Sequence, residues 1–185
     1  RDLHSFPTRR SSDLHEMNSD GIGYIRITEF DSVTYDQFAS ALEDLEAQGM
    51  TGLVIDLRDN PGGNLDTVCD ILDLILPEGT IVSTKDKNGE GETYTSDEEH
   101  KLEIPLSVLT NGNSASASEI FAGAVQDYGV GTLVGTTTFG KGIVQQIFPL
   151  TDGTSIKLTI SEYFTPKGRN IHGTGIDPDV EVEYE

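Results

Sequence analysis

Three serines close together have the surroundings that nucleophilic catalysis requires. Ser114, Ser116 and Ser118 lie between an apolar stretch typical of a buried strand and the start of a predicted helix. The unpaired N–H groups and the positive dipole end of a helix start can stabilise a developing oxyanion. Serines are also the usual N-caps of helices. The residues alone therefore leave open whether one of these serines is a nucleophile, and which one.

Lys141 is the best candidate for the base that a serine hydroxyl needs. It lies between two glycines, with apolar residues on both sides. A lysine amine has an ordinary pKa of about 10.4, so it must lose solvent to accept a proton at neutral pH. The glycines allow close approach to another segment, and Gln145 could hydrogen-bond the amine. The alternative is a solvated surface lysine.

Two competing interpretations of these segments are weaker. A Ser-His-Asp site in a nucleophile elbow would need a second glycine, which residues 112–116 lack. Among the histidines, only His172 has a plausible position, in a glycine-containing loop. Residues 135–142 are one residue short of a P-loop and lack its final hydroxyl side chain, and the next residues favour a strand over a helix. We therefore reject nucleotide binding.

A sharp turn at residues 60–63, Asn-Pro-Gly-Gly, follows an apolar strand. Its glycine N–H groups could complete an oxyanion hole, or the turn could be purely structural. No spacing of cysteine, histidine or carboxylate residues indicates a metal site. We expect neither a metal nor a cofactor.

Strand and helix patterns alternate along the chain. Helices are predicted from Thr34 to about Gly49 and at 65–76 and 116–128, and a hairpin or surface excursion at 80–100. Strands are predicted at 22–28, 53–57, 106–110, 132–134, 143–148, 155–164 and 180–182. This alternation favours an α/β fold with parallel strands.

The composition excludes several classes of partner and structure. The formal net charge of −20 opposes binding to nucleic acid or anionic lipid. No apolar run approaches the roughly 20 residues that a membrane span requires. The one cysteine, Cys69, excludes an internal disulfide. Its apolar helical neighbours indicate a small core residue.

Residues 1–14 show neither apolar periodicity nor the apolar stretch of a signal peptide. They resemble the conceptual translation of a sequencing adapter. We interpret them as an assembly artefact and assign residues 15–185 to one domain.

Five segments together resemble the C-terminal processing peptidases, the tail-specific Ser/Lys proteases of family S41 with a tricorn-type core. They are residues 23–26, 56–63, 114–119, 138–145 and 163–171. The resemblance implies an α/β fold with a ClpP/crotonase-like peptidase core, in which helices flank a mixed, largely parallel sheet.

The resemblance also assigns roles to individual residues. It implies that Ser116 is the nucleophile, Lys141 the general base and Gln145 the residue that positions the lysine. The backbone N–H groups of Ala117 and Gly62 would form the oxyanion hole. The implied activity is that of a serine endopeptidase, which hydrolyses peptide bonds near protein C-termini through an acyl-enzyme and without a cofactor.

The implied partners are protein or peptide substrates with accessible C-termini, and a homo-oligomer is a further expectation. The resemblance places the protein in a bacterium, at the cell envelope or on its extracellular side. Family members usually carry a PDZ domain and often a signal peptide or anchor before this core. We expect a core truncated before its PDZ domain, with membrane association only through missing N-terminal segments.

Two alternative functions follow from the same features. A non-catalytic, peptide-binding fragment of such a protease would keep the groove without turnover. A crotonase-like acyltransferase would share the fold but has no need for a serine and lysine pair.

Overall fold

The computed structural model describes residues 14–97 and 99–183, which form ten strands and three helices. The helices are α1 (Thr34–Ala47), α2 (Leu65–Asp73) and α3 (Ala117–Tyr128). The strands are β1 (Leu14–Met17), β2 (Ile22–Arg26), β3 (Gly52–Asp56), β4 (Gly79–Lys85), β5 (Thr93–Ser96), β6 (Leu106–Thr110), β7 (Thr132–Gly135), β8 (Ile143–Pro149), β9 (Ser155–Phe164) and β10 (Val180–Glu181).

The larger sheet has the strand order β1-β2-β3-β6-β7-β10. Only the β1–β2 pair is antiparallel, and the other neighbours run parallel. β3 lies in the interior of this sheet, and its Leu53 and Ile55 are almost completely buried. This agrees with the continuous apolar run expected of a strand covered on both faces. The predicted mixed, largely parallel sheet is confirmed.

α1 connects β2 to β3 and α3 connects β6 to β7, whereas α2 leads from β3 into the second sheet at β4. α1 and α2 each bury one stripe of side chains, and α3 is buried along almost its whole length. In α1 the buried stripe contains Phe38, Leu42 and Leu45, at helical spacing. The side chain of Asn64 caps α2 by accepting the N–H of Asp66. α2 ends at Asp73, a little before the predicted residue 76. α3 ends at Tyr128 as predicted, and Gly129 follows it in the left-handed conformation.

A second sheet has the order β5-β4-β9-β8, with antiparallel pairs throughout. The predicted hairpin in residues 80–100 is the β4–β5 pair, which joins this sheet through β9. The β8–β9 hairpin turns near Gly153, where φ is +85°. β8 lies at one edge of this sheet and follows directly after the Lys141 loop. A strand in this place agrees with the rejection of a P-loop, which requires a helix.

The strand β1 begins at Leu14, which pairs with Arg26 of β2. Leu14 therefore belongs to the sheet, although the sequence interpretation grouped it with the artefact. The rest of that interpretation concerns residues 1–13, which lie outside the described residues.

Cys69 lies in the core, on the buried face of α2. Its burial, followed by the negative charges of Asp66 and Asp70, raises the pKa of the thiol to about 12. The side chain therefore acts as a small apolar residue, as predicted. Within the described part of the chain, no helix is long and apolar enough to cross a membrane.

Candidate active site

Ser116 occupies the N-cap position of α3 with an unusual backbone conformation. Its φ is +56° and its ψ is −114°. Positive φ is uncommon for a residue with a Cβ, and such strain concentrates at functional sites. The next residue, Ala117, is the first of the helix, and its N–H has no acceptor among the described residues. The start of α3 thus presents a strained serine beside an open N–H group.

The three serines of this segment differ in their hydrogen bonds. Ser114 is buried, and its hydroxyl donates to the carbonyl oxygen of Leu57 at 2.8 Å. Ser118 is also buried and donates to the carbonyl oxygen of Asn60 at 3.0 Å. Ser116 is partly exposed and lines a cleft of about 300 Å³. The hydroxyls of Ser114 and Ser118 therefore bind the loop before α3 and α3 itself to the residues after β3, while Ser116 lines the cleft.

Lys141 lines the same cleft as Ser116. Its loop packs tightly on the segment after β9, since a Cβ at Gly142 would lie 2.7 Å from the backbone nitrogen of His172. Only a glycine permits this approach, as the sequence predicted. The side chain of His172 is exposed and does not line the cleft. The structure thus brings the predicted serine and lysine together and leaves the histidine outside.

Gln145 also lines the cleft, in β8. Its side chain is exposed, and its Nε2 lies 3.5 Å from the Oγ1 of Thr159. A β-bulge interrupts the β8–β9 pairing between Val144 and Gln145, which redirects the side chains that follow. The predicted contact of Gln145 with the lysine amine stays a prediction.

The turn after β3 does not offer the N–H group of Gly62 to the cleft. That N–H donates to the Oδ1 of Asn60 at 2.8 Å, and Gly62 is buried. Gly63 is the exposed glycine and lines the cleft. Its N–H has no acceptor among the described residues. The Asn60 side chain therefore already occupies the N–H of Gly62, and the predicted oxyanion role of Gly62 stays a prediction.

Asp59 joins the turn after β3 to the loop before α3. Its Oδ1 accepts the side-chain amides of Asn111 at 3.0 Å and Asn113 at 2.8 Å. The hydrogen bond from Asn113, followed by that from Asn111, holds the pKa of Asp59 below its usual range. The carboxylate therefore keeps its negative charge and its two amide donors, which fixes one loop against the other.

An ion pair between a buried carboxylate and a partly exposed arginine lies at the end of β3, just before this turn. Asp56 is completely buried, and both of its carboxylate oxygens accept hydrogen bonds from the Arg58 side chain, at 2.9 and 2.7 Å. The phenol of Tyr24 donates to the same carboxylate at 2.7 Å. Burial by itself would raise the pKa of Asp56, but the hydrogen bonds from Arg58 and Tyr24 hold it below its ordinary value.

Sequence reasoning missed two side chains that line the cleft, Lys157 and Tyr163 of β9. The irregularity in the β8–β9 pairing leaves Ile160 as an extra residue between them and interrupts the alternation of β9. A period of two in the sequence therefore does not place both on the face that meets the cleft.

Asp97, Glu99 and His100 are the described side chains whose spacing could hold a metal ion, with ligand atoms within 4.8 Å of one another. All are exposed and belong to the loop after β5, which contributes no residue to the cleft. The cleft itself is lined by hydroxyl, amine, amide and apolar groups. These groups include a hydroxyl and an amine, the pair that the predicted nucleophile and base require.

With this geometry in place, residues 21–182 match the family model described as "Peptidase family S41". The chain belongs to peptidase family S41. It is 49% identical over 162 residues to a carboxyl-terminal-processing protease of Synechocystis sp.. It is also 44% identical over 163 residues to the carboxy-terminal processing protease CtpB of Bacillus subtilis.

The family's architecture extends over most of this S41 chain. A solved structure of the photosystem II D1 C-terminal processing protease superposes with a TM-score of 0.82 at 36% identity, covering 88% of this chain and 42% of that one. The predicted peptidase-core fold is thereby confirmed. The matches to the Synechocystis and Bacillus proteins each cover 88% of this chain, but they span only 38% and 34% of those relatives.

Proposed function

We propose that this S41 chain is a serine endopeptidase in which Ser116 is the nucleophile and Lys141 the general base. One observation carries the proposal: Ser116 and Lys141 line one cleft, while the neighbouring hydroxyls of Ser114 and Ser118 are bound to backbone carbonyls. A serine needs an adjacent base to become a nucleophile, and an amine can serve in place of a histidine.

The proposed reaction proceeds in two halves. The neutral amine of Lys141 takes the hydroxyl proton of Ser116 while the Oγ forms a bond to the peptide carbonyl carbon. The ammonium then returns the proton to the leaving amine as the C–N bond breaks, which leaves an acyl-enzyme. A water molecule, deprotonated by the same amine, attacks the ester and releases the Ser116 hydroxyl.

The oxyanion of each tetrahedral intermediate needs hydrogen-bond donors that are already in place. We propose the N–H groups of Ala117 and Gly63 for this role, in place of the expected pair of Ala117 and Gly62. The support is that both residues line the cleft, whereas the Gly62 N–H is bound to Asn60. The dipole of α3 adds positive potential at the same place.

The names of the relatives suggest the substrates. Because two of them are called carboxyl-terminal or carboxy-terminal processing proteases, we propose protein substrates cut near accessible C-termini. We also propose a location at the bacterial cell envelope or outside it. Self-association stays a prediction, which light scattering on the purified chain would test.

A fluorophosphonate probe and an unstructured peptide test the nucleophile. We expect the chain to cleave the peptide and to be labelled at Ser116, and Ser116→Ala to lose both. Ser118→Ala is the matched control, because it removes a neighbouring hydroxyl that is bound to Asn60. It should keep the labelling.

Lys141→Ala tests the proposed base. The rate of peptide cleavage should fall by about 1,000-fold or more, as expected when an essential catalytic group is removed. Peptide binding without labelling in the unsubstituted chain would favour the non-catalytic fragment instead. Cleavage that persists in Ser116→Ala would refute the proposed nucleophile.

A further inference from the structure

A buried carboxylate joins the start of α3 to the Lys141 loop, and the proposed chemistry does not use it. The Glu119 side chain is completely buried. Its Oε2 accepts the backbone N–H of Ser116 at 2.9 Å and that of Lys141 at 2.8 Å. One oxygen atom therefore links the two residues of the proposed dyad.

The other oxygen of Glu119 holds the same loop a second time. Its Oε1 accepts the hydroxyl of Thr138 at 2.6 Å and the N–H of Gly140 at 2.7 Å. The Thr138 oxygen accepts the N–H of Ile176, so its hydrogen is directed at the carboxylate. Glu119 thus accepts four hydrogen bonds, three of them from the loop that carries Lys141.

The phenol of Tyr163 connects the same two residues through their carbonyl groups. Its oxygen lies 3.0 Å from the carbonyl oxygen of Ser116 and 2.6 Å from that of Lys141. The ring is almost completely buried. The single phenolic hydrogen is shared between these two carbonyl oxygens, with the shorter contact to Lys141. Glu119 therefore ties the backbones of Ser116 and Lys141 at their N–H groups, and Tyr163 ties them through one shared hydrogen at their carbonyls.

We propose that Glu119 and Tyr163 are positioning residues that fix Ser116 and Lys141 relative to each other. The inference rests on the proposed function, in which these two residues are nucleophile and base. Proton transfer between them requires hydrogen-bond distance. Displacement by 1 Å can lower a rate by about 100-fold. A shared acceptor atom and a shared donor restrict such displacement more than two separate anchors would.

Glu119→Gln is the sharpest test, because it keeps the shape of the side chain. A glutamine amide has one acceptor oxygen, and its NH₂ group cannot accept a hydrogen bond. In either orientation, two of the four donors lose their acceptor. If the NH₂ group replaces Oε2, the N–H groups of Ser116 and Lys141 lose their common acceptor. If it replaces Oε1, Thr138 and Gly140 lose theirs.

Asp127→Asn is the matched control in the same helix. Asp127 is buried and accepts the N–H of Lys167 and the side chain of Arg169, away from the cleft. Its replacement by an amide disturbs a buried carboxylate in the same way without touching Ser116 or Lys141. Tyr163→Phe is the second variant, since it removes only the bridging hydroxyl.

The measurements are kcat and KM on an unstructured peptide, the rate of fluorophosphonate labelling at Ser116, and thermal unfolding, all on the 185-residue chain. Glu119→Gln should lower kcat and the labelling rate by about 100-fold and change KM by less than about threefold. Tyr163→Phe should lower kcat and the labelling rate by about 10-fold each. Asp127→Asn should keep kcat within about twofold, because its contacts lie away from the cleft.

A folded Glu119→Gln protein with the parent's kcat and labelling rate would overturn the proposal, and so would an equal loss in Asp127→Asn. If Glu119→Gln does not fold, Tyr163→Phe decides: a lower kcat at unchanged KM supports the proposal, and the parent's kcat refutes it. Activity that survives Ser116→Ala would refute the proposed function instead. An inactive Ser116→Ala beside a fully active Glu119→Gln would refute the positioning role alone.

Discussion

A Cβ added to Gly62 would lie 2.8 Å from the Cβ of Ser116. The same atom would lie 2.6 Å from the carbonyl oxygen of Ala115 and 2.9 Å from the nitrogen of Ala117. The backbone of Gly62 has a φ of +104°, which residues with a Cβ rarely adopt. The turn after β3 therefore packs on the start of α3 at a distance that only glycine allows.

Gly62→Ala should displace Ser116 and Ala117 together. We expect a loss of stability of about 1–3 kcal/mol from backbone strain, and more from the contacts with backbone atoms. The expected loss in kcat is about 100-fold, because Ser116, the proposed nucleophile, moves relative to Lys141, the proposed base. Urea unfolding and peptide cleavage measure the two effects.

Gly89→Ala is the control for the conformational part of this effect. Gly89 has a φ of +85° in the β4–β5 turn, and a Cβ there would meet no atom within 4 Å. Gly89→Ala should lower the free energy of unfolding by about 1 kcal/mol and leave kcat unchanged. Equal kcat values for the parent and Gly62→Ala would contradict the packing argument.

Gln145→Ala tests the predicted positioning of the lysine amine. Since Gln145 lines the cleft, the loss of its amide should lower kcat by about 10-fold with little change in KM. Gln146→Ala is the matched control, because Gln146 is the next residue of β8, is exposed and does not line the cleft. If both variants have the same kcat, Gln145 has no role in positioning the base.

Asp56→Asn should destabilise the protein at neutral pH more than in acid. The pKa of Asp56 is lowered in the folded state, so its carboxylate contributes fully above the unfolded value of about 3.9. That contribution is lost as the pH falls through the folded pKa. We expect a loss of about 3 kcal/mol at pH 7, because Arg58 loses its buried partner.

Urea unfolding of the parent and Asp56→Asn at pH 7 and at roughly pH 2.5 measures this difference. The difference in the free energy of unfolding between the parent and Asp56→Asn should be smaller in acid. A gap of the same size at both pH values would show that the carboxylate gains nothing from Arg58 and Tyr24.

The sequence predicted the order of elements because local patterns decide them. The apolar run of β3 and the stripe of α1 need no knowledge of distant residues. The choice of serine is different, since all three have the same chemistry and the same local setting. Ser114 and Ser118 are distinguished by bonds to Leu57 and Asn60, which only the folded chain brings near.

The state of the two adjacent glycines could not be predicted for a similar reason. The Gly62 N–H is bound because the Asn60 side chain folds back onto it, and neither composition nor spacing shows this contact. The positioning roles proposed for Glu119 and Tyr163 were not predicted. The spacing of Ser116 and Glu119 is that of a capping box and could have shown their contact. The partners in the Lys141 loop lie about 20 residues away along the chain, and no spacing rule joins a helix, a loop and a strand.

The phenol of Tyr163 should remain protonated in alkaline solution. Burial, followed by the negative charge of Glu119, raises the pKa of Tyr163 well above its ordinary value of about 10. Its stabilising contribution is therefore full below about pH 10 and is lost as the pH rises through the folded pKa. Between pH 8 and about pH 11, the stability gap between the parent and Tyr163→Phe should narrow.

Absorbance at 295 nm gives a direct measurement of this ionisation. In the folded state, the difference in absorbance between the parent and Tyr163→Phe should stay constant near pH 10, because Tyr163 does not ionise there. In urea the same difference should show one tyrosine with an ordinary pKa of about 10, which serves as the internal control. A folded-state transition near 10 would mean that Tyr163 is not enclosed as described, and its bridge between Ser116 and Lys141 would then fail in alkaline solution.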